Sequence, residues 1–180
     1  MSAPDKKLKQ SHVWAQDPHG WYVEPERCTE QLAAVENLIG WTWDPCCGGG
    51  NIVRTLRRSG TSAVGTDLVR RVPDGTSWFL GERDFLTGRP LPSWSNLMFN
   101  PPFFRGKGTE AFIRRGIELA RENPRADKMI VFADIKYLAG EGRANGLWRE
   151  HRPARVWVIT PRPSCPPGEY LLAGGEAKDG

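Results

Sequence analysis

Short apolar runs recur along the chain, and each is followed by a polar or glycine-rich turn. Runs of this length, bounded by turn residues, are typical of buried strands. They predict strands at 41–44, 63–67, 77–80, 96–99, 129–133 and 156–159. Between them lie stretches with helical periodicity, so we expect a mostly parallel, doubly wound α/β sheet with helices on both faces.

Two of the helical stretches have a clear apolar face. The first should begin near Thr29, which can cap a helix. Its apolar face is Leu32, Val35, Leu38 and Ile39. The second should open at Thr109 or Glu110, and its inward residues are Phe112, Ile113, Ile117 and Ala120. Shorter helices are predicted at 51–59 and 142–150.

A glycine-rich turn, Asp44-Pro45-Cys46-Cys47-Gly48-Gly49-Gly50, follows the first predicted strand and precedes a predicted helix. In that context glycines let the backbone approach a ligand closely. The turn lacks the Lys-Ser/Thr ending of a nucleotide-binding P-loop. An acidic residue at the strand end also disfavours a pyrophosphate and suits a cationic group. A turn without a ligand is the alternative.

Two further acidic residues follow later strands. Asp67 ends the second strand, about one βαβ unit after the glycine turn, where a carboxylate commonly binds ribose hydroxyls. Asp84 precedes Phe85, and a carboxylate beside an aromatic ring can accept from an adenine amino group while the ring packs on the base. Each residue alone fits an ordinary surface carboxylate, but their order favours a cofactor site.

The tetrapeptide Asn100-Pro101-Pro102-Phe103 follows the apolar run 97–99. An Asn side-chain oxygen and a carbonyl held by rigid prolines can accept the two N–H groups of an exocyclic amine. That would free the nitrogen lone pair, and the aromatic ring could stack on a flat substrate. The pattern therefore suits methyl transfer to a conjugated amine, although Asn-Pro is also a common turn.

In this order, the motifs resemble those of class I S-adenosylmethionine-dependent DNA methyltransferases that modify the N6 amine of adenine. The likeness is greatest to small phage and prophage-type enzymes, and it runs from about residue 20 to residue 168. It implies a Rossmann-like methyltransferase fold, S-adenosylmethionine as cofactor, S-adenosylhomocysteine as product and no metal. In that family an element before the glycine motif touches the methionine end of the cofactor, and 21–25 fills that place here.

The resemblance assigns a role to each matched position. The catalytic positions implied are Asn100, Pro101, Pro102 and Phe103. The cofactor-binding positions implied are Trp21, Tyr22, Pro25, Asp44, Cys46, Cys47, Gly48, Gly50, Asp67, Leu68, Asp84, Phe85 and Asn100. In the implied reaction adenine is flipped out of the duplex and stacks on Phe103. Its N6 amine then donates to the Asn100 side chain and to the Pro101 carbonyl.

The loop after the tetrapeptide combines aromatic and basic residues, which suits contact with DNA, here taken as double-stranded. The candidate DNA-binding residues are Phe104, Arg105, Lys107 and Arg143. A solvated loop is the alternative, and surface salt bridges explain Arg143 equally well. No separate target-recognition domain is visible, which predicts short or relaxed sequence specificity.

The domain organisation is simple. Residues 1–19 are polar and expected to be a disordered leader, and residues 20–180 are expected to form a single methyltransferase domain. The family's sheet usually ends with a β-hairpin, and its last strand should follow a segment such as 171–180. The expected sheet therefore lacks that last strand within this sequence.

Composition narrows the class of protein without deciding it. The net charge of +4 permits a nucleic-acid partner but does not require one. No apolar run approaches the roughly 20 residues of a membrane span, and no signal-peptide core follows Met1. The four cysteines match no zinc-site spacing, so reduced thiols are expected. The expected location is the cytoplasm of a bacterial cell or of a phage-infected host.

Two alternatives remain open. The Asn-Pro-Pro-aromatic tetrapeptide also serves methyltransferases of the same fold that act on RNA bases or on a protein glutamine. Basic residues in the following loop favour nucleic acid over a protein. A non-catalytic module that binds cofactor or DNA is the other alternative, and the intact motifs speak against it.

Overall fold

The computed structural model describes residues 17, 20–103 and 107–177 of the 180-residue chain. The described strands are β1 (Thr42–Asp44), β2 (Ala63–Asp67), β3 (Phe79–Glu82), β4 (Asn96–Phe99) and β5 (Lys128–Val131). The described helices are α1 (Glu26–Ala33), α2 (Asn51–Arg58), α3 (Lys107–Glu122), α4 (Glu141–Asn145), α5 (Leu147–Glu150) and α6 (Gly168–Leu172), with a 3-10 turn at Ile135–Tyr137.

The five described strands form one sheet in the order β3-β2-β1-β4-β5, and every pairing is parallel. At its centre, Trp43 pairs with Val64 on one side and with Leu97 on the other. The prediction of a parallel α/β sheet flanked by helices is therefore confirmed. Because the strands are parallel, the motifs that follow β1, β2 and β4 come together at one edge of the sheet.

Successive residues of β4 belong to different cores, as the two-residue period of a strand requires. Leu97 and Phe99 join a cluster that contains Leu119 and contacts Phe112, both from α3. Met98 joins a second cluster built around α2. The sheet is thus buried on both faces, which explains why β1, β2 and β4 consist entirely of buried residues.

The boundaries of α1 differ from the prediction. The helix begins after Pro25, whose fixed backbone starts it, so Thr29 is a buried residue within the helix and not its cap. It ends at Ala33, so Val35, Leu38 and Ile39 lie beyond it. The predicted helix at 142–150 is likewise divided, because Gly146 has a non-helical backbone conformation between α4 and α5.

The predicted strand at 156–159 is wrong. This segment has no strand pairing and its residues Val156, Trp157 and Val158 are about half exposed or more. It lies beside α1 and the turn after it, because Gln31 Nε2 of α1 donates to the backbone oxygen of Thr160 at 3.1 Å. The Arg155 guanidinium and the Trp157 indole both donate to the carboxylate of Glu36 in that turn.

Most of the predicted disordered leader, residues 1–16 and 18–19, lies outside the described residues. Asp17, which falls within the predicted leader, is buried and accepts a hydrogen bond from the backbone N–H of Trp21 at 3.0 Å. None of the described helices combines the length and the apolar character that crossing a membrane requires.

Candidate functional site

A cavity of about 240 Å³ opens at the carboxyl edge of β1, β2 and β4. Twelve of the sequence-predicted site residues line it: Trp21, Tyr22, Asp44, Cys46, Cys47, Gly48, Asp67, Leu68, Asp84, Phe85, Asn100 and Pro102. The lining does not include Pro25, Gly50, Pro101 or Phe103. Motifs that are far apart in the sequence thus share one concave surface.

The glycine turn is shaped by two tryptophans. Gly48 has a backbone φ of +52°, and a Cβ there would lie 2.4 Å from the indole Nε1 of Trp21. Gly50 has a φ of +85°, and a Cβ there would lie 2.1 Å from Cη2 of Trp78. Both glycines are therefore required for conformation and close packing. Gly50 contributes to the site by fixing the start of α2 and not by facing the cavity.

Trp21 connects the two halves of the cavity wall. Its indole covers Gly48, and a Cβ at Gly168 would lie 2.2 Å from the same ring. Its carbonyl accepts from the N–H of Gly168 at 2.9 Å, next to a bridge between Tyr22 and Pro167. The guanidinium of Arg71 lies 4.7 Å from its ring centroid. Residues near both ends of the described chain therefore close this side of the cavity.

Asp67 is already engaged in three hydrogen bonds. Its carboxylate accepts from the N–H of Gly48 at 2.7 Å, the N–H of Val69 at 3.0 Å and the Arg71 guanidinium at 2.7 Å. A carboxylate offers about four acceptor positions, so roughly one remains for a ligand. This geometry leaves space for about one further donor at Asp67, where the sequence led us to expect ribose hydroxyls.

Asp84 is exposed and shapes a turn. It accepts from the N–H of Leu86 at 2.8 Å and from the hydroxyl of Thr87 at 2.8 Å. These bonds, with that of Thr87 foremost, hold the pKa of the Asp84 carboxyl below its usual value. Phe85 turns inward, 4% exposed, with ring centroids 5.6 Å from Trp43 and 5.4 Å from Phe112. Asp84 and Phe85 thus both line the cavity, and the Phe85 ring is also part of the hydrophobic core.

Two buried carboxyl groups also line the cavity. Glu24 is 6% exposed and Asp44 is 2% exposed, and among the described residues neither forms an ion pair. Burial raises the pKa of Glu24 to about 7. Burial, and then the negative charge of Glu24, raise the pKa of Asp44 well above its usual value. Because a nearby cation would favour the ionised carboxylates, the cavity suits a positively charged ligand.

Asn100 lies where β4 ends, and its side-chain amide is held in one orientation. Nδ2 donates to the backbone oxygen of Tyr22 and to Oε2 of Glu24, both at 2.8 Å. Since both partners accept, the nitrogen must face them. Oδ1 is buried and has no hydrogen-bond partner among the described residues. A buried acceptor without a partner is costly, so this oxygen is suited to a donor that a ligand supplies.

The predicted DNA-binding residues are only partly described. Phe104 and Arg105 lie outside the described residues, as does the side chain of Lys107. Arg143 is half-buried, donates from Nε to the backbone oxygen of Tyr137 at 2.6 Å and lies 4.1 Å from the centroid of that ring. This guanidinium therefore packs within the protein.

Among the cavity-wall residues that sequence reasoning missed are Glu24, Arg71 and Phe112. Glu24 stands between Tyr22 and Pro25 in a motif that was identified, but nothing local indicates its contact with Asn100. Arg71 could have been found, because it lies four residues after Asp67 and has the opposite charge. Phe112 was predicted to face the core, and it does so while also reaching the cavity.

No protein-family model matches the chain, and comparison with curated protein sequences gives no match. In the described part of the chain, no three or more His, Cys, Asp or Glu side chains are grouped to hold a metal ion. The assignment of the site therefore depends on its geometry.

Proposed function

We propose that this protein is an S-adenosylmethionine-dependent methyltransferase that modifies the N6 amine of adenine in DNA. One observation carries the proposal: the Asn100 amide is fixed through Nδ2, and its buried Oδ1 is left without a partner beside the cavity. An exocyclic amine is a donor of the kind that this oxygen needs.

The donor set of the cavity fits the proposed cofactor. S-adenosylmethionine, when bound, supplies an electrophilic methyl group on a cationic sulfonium and carries a second cation in its amino group. The buried carboxyl of Asp44, whose pKa is raised first by burial, would ionise beside a cation and so suits one. Asp67 has room for about one hydroxyl, and Leu68, which is 62% exposed, offers an apolar surface at the cavity.

The chain's own residues would act on the substrate by orientation. Asn100 Oδ1 would accept one N–H of the target amine, and the carbonyl of Pro101 would accept the other. Proline fixes the backbone before that carbonyl, so the two acceptors keep a constant relation to each other. Phe103 would stack on the base. Positioning of this kind can account for a large part of a rate enhancement.

The test is transfer of a radiolabelled methyl group from S-adenosylmethionine to unmethylated duplex DNA, followed by separation of the nucleosides. We expect label in N6-methyladenine. Asn100→Ala should abolish transfer while the dissociation constant of the cofactor stays within about threefold, because Asn100 acts on the amine. Asn145→Ala, a change at an exposed position of α4, is the matched control and should keep full activity.

Two outcomes would contradict the proposal. If Asn100→Ala retains near-normal transfer, the amine is not activated by this residue. If the wild-type protein labels RNA or a protein but not DNA, the acceptor is wrong although the methyl transfer is right.

A further inference from the structure

Glu24 is placed against Asn100 by residues that come from three parts of the chain. Its Oε2 atom accepts from Asn100 Nδ2 at 2.8 Å. Its backbone oxygen accepts from Asn51 Nδ2 at 2.9 Å, which ties this segment to the first turn of α2. The preceding residue, Val23, donates its N–H to the oxygen of Pro166 at 2.9 Å. The carboxyl group is therefore held at the cavity wall from both sides.

We propose that Glu24 is a positioning residue whose carboxylate, through the Asn100 amide, keeps Asn100 Oδ1 available to the amine of the substrate. This inference rests on the proposed methyl-transfer function. It assigns to Glu24 a role in orienting the acceptor, distinct from the binding of cofactor charge.

The orientation of the Asn100 amide matters because its nitrogen can only donate hydrogen bonds and its oxygen can only accept them. If the Asn100 side chain turned by half a revolution, Oδ1 would face two acceptor oxygens, those of Tyr22 and Glu24. The backbone oxygen of Tyr22 supplies an ordinary hydrogen bond. An ionised Glu24 supplies a charge-assisted bond, which is roughly twice as strong as a neutral one. Protonation of Glu24 would weaken this preference.

The surroundings of Glu24 place its ionisation near neutrality. Burial raises its pKa to about 7, against the opposing effects of its backbone hydrogen bond, the Asn100 amide and the positive charge of Arg54. Burial first, and then neighbouring negative charges that include Glu24, raise the pKa of the Asp44 carboxyl and of the Cys46 thiol. The orientation of Asn100 should therefore respond to pH in the range where the protein would work.

The first experiment does not require activity. The side-chain amide signals of Asn100 are followed by ¹⁵N NMR from about pH 5.5 to about pH 8.5, and are assigned by their loss in Asn100→Ala. We expect these signals to shift with a midpoint near pH 7 in the wild-type protein. The shift should disappear in Glu24→Gln and persist in Glu30→Gln, a change at an exposed position of α1. Signals that do not titrate, or that titrate equally in Glu24→Gln, would overturn the proposal.

The second experiment separates positioning from cofactor binding. With S-adenosylmethionine and unmethylated duplex DNA, Glu24→Gln should lower kcat about tenfold at pH 8, because a neutral hydrogen bond replaces a charge-assisted one. The dissociation constant of the cofactor should change by less than about threefold. The wild-type kcat should rise through pH 7, and that limb should be absent in Glu24→Gln. A weakened cofactor affinity with an unchanged kcat would overturn the positioning role.

The two experiments also distinguish this inference from the proposed function. If the Asn100 signals titrate as expected but the wild-type protein methylates no DNA, RNA or protein, Glu24 still orients Asn100 and the proposed reaction is wrong. If methyl transfer occurs but the signals are insensitive to pH, the reaction stands and the role of Glu24 is wrong.

Discussion

The indole of Trp78 lies against the backbone of Gly50, where any side chain would collide with it. Gly50 also has a φ of +85°, a conformation that costs an L-residue about 1–3 kcal/mol. The two effects act together at the start of α2, the helix that follows the glycine turn.

We predict that Gly50→Ala is more destabilising than the conformational cost alone. The matched control is Gly60→Ala, because Gly60 has the same φ of +85° and a Cβ there would meet nothing within 4 Å. The collision with Trp78 should add roughly 1–3 kcal/mol to the loss at Gly50. Urea unfolding of the two variants measures the difference. Equal losses would mean that Trp78 moves aside freely.

The two neighbouring arginines form ion pairs of different burial, which predicts different effects of their removal. Arg71 and Asp67 have side chains that are 10% and 9% exposed, with an N···O distance of 2.7 Å. Arg70 pairs with Asp74, whose side chain is 96% exposed. We expect Arg71→Ala to cost about 3–5 kcal/mol, since it leaves a buried carboxylate without its partner.

The control for that prediction is Asp74→Asn, which removes an exposed pair with the same i,i+4 spacing and should cost less than about 1 kcal/mol. Chemical unfolding of both variants at one pH is the measurement. A loss at Arg71 no larger than that at Asp74 would show that water replaces the guanidinium at Asp67.

The raised pKa of Glu24 makes a prediction about stability. The folded state holds the Glu24 proton up to about pH 7, whereas the unfolded chain releases it near its usual value of 4.5. Folding is therefore increasingly opposed as pH rises from about 4.5 to about 7, and the full cost remains above that range. Glu24→Gln removes this ionisation. Its free energy of unfolding should therefore rise relative to that of the wild type by roughly 2–3 kcal/mol as the pH goes from about 5 to about 8.

Unfolding curves of the wild type, Glu24→Gln and Glu30→Gln at about pH 5 and about pH 8 test this. Glu30→Gln should follow the wild type at both values, because its side chain is exposed. A Glu24→Gln protein whose relative stability does not change with pH would contradict the burial of a titrating carboxyl at this position.

The attachment of the 155–161 segment depends in part on Glu36, which lies three residues beyond the end of α1. The Glu36 side chain is 8% exposed, and it binds Arg155, Trp157 and Lys128. The hydrogen bond from Arg155, first among these contacts, lowers the pKa of Glu36 to about 2. We expect Glu36→Ala to release the segment, at a cost of about 1–3 kcal/mol.

Limited proteolysis of the 155–161 segment measures this release. The protection of the segment from cleavage should fall in Glu36→Ala and stay unchanged in Glu118→Ala, whose partner Arg115 is close in sequence on α3. In the wild type, Glu36 should contribute to the free energy of unfolding above about pH 4.5. This contribution should be lost as the pH falls toward 2, because the pKa of Glu36 is lowered in the folded state. Unchanged protection in Glu36→Ala would assign the placement of the segment to its contacts with α1.

The central sheet could be predicted from the sequence because local residue patterns mark where its strands begin and end. The predictions for 63–67 and 96–99 coincide with β2 and β4, since each is an apolar run that ends at a polar or turn residue. The meeting of Asp44, Asp67 and Asn100 also followed from sequence, because parallel strands present their carboxyl ends at one edge.

The remaining features depend on partners that are distant in sequence. Residues 156–159 have the composition of a strand, but Glu36, about 120 residues earlier, binds the side chains of Arg155 and Trp157. The contact between Glu24 and Asn100 spans 76 residues. Local periodicity contains no information about such pairs, and for that reason the positioning carboxyl was missed while the tetrapeptide that it serves was found.

The closure of the Trp21 side of the cavity by Gly168 has a consequence for synthesis. A nascent chain is made from its N-terminus, and domains begin to fold as they emerge. The glycine turn, Asp67 and Asn100 are all translated well before the segment that packs on Trp21 and bridges Tyr22 to Pro167. We therefore expect a ribosome-bound chain to acquire its sheet first and its ability to retain a ligand only after residue 168 has left the exit tunnel.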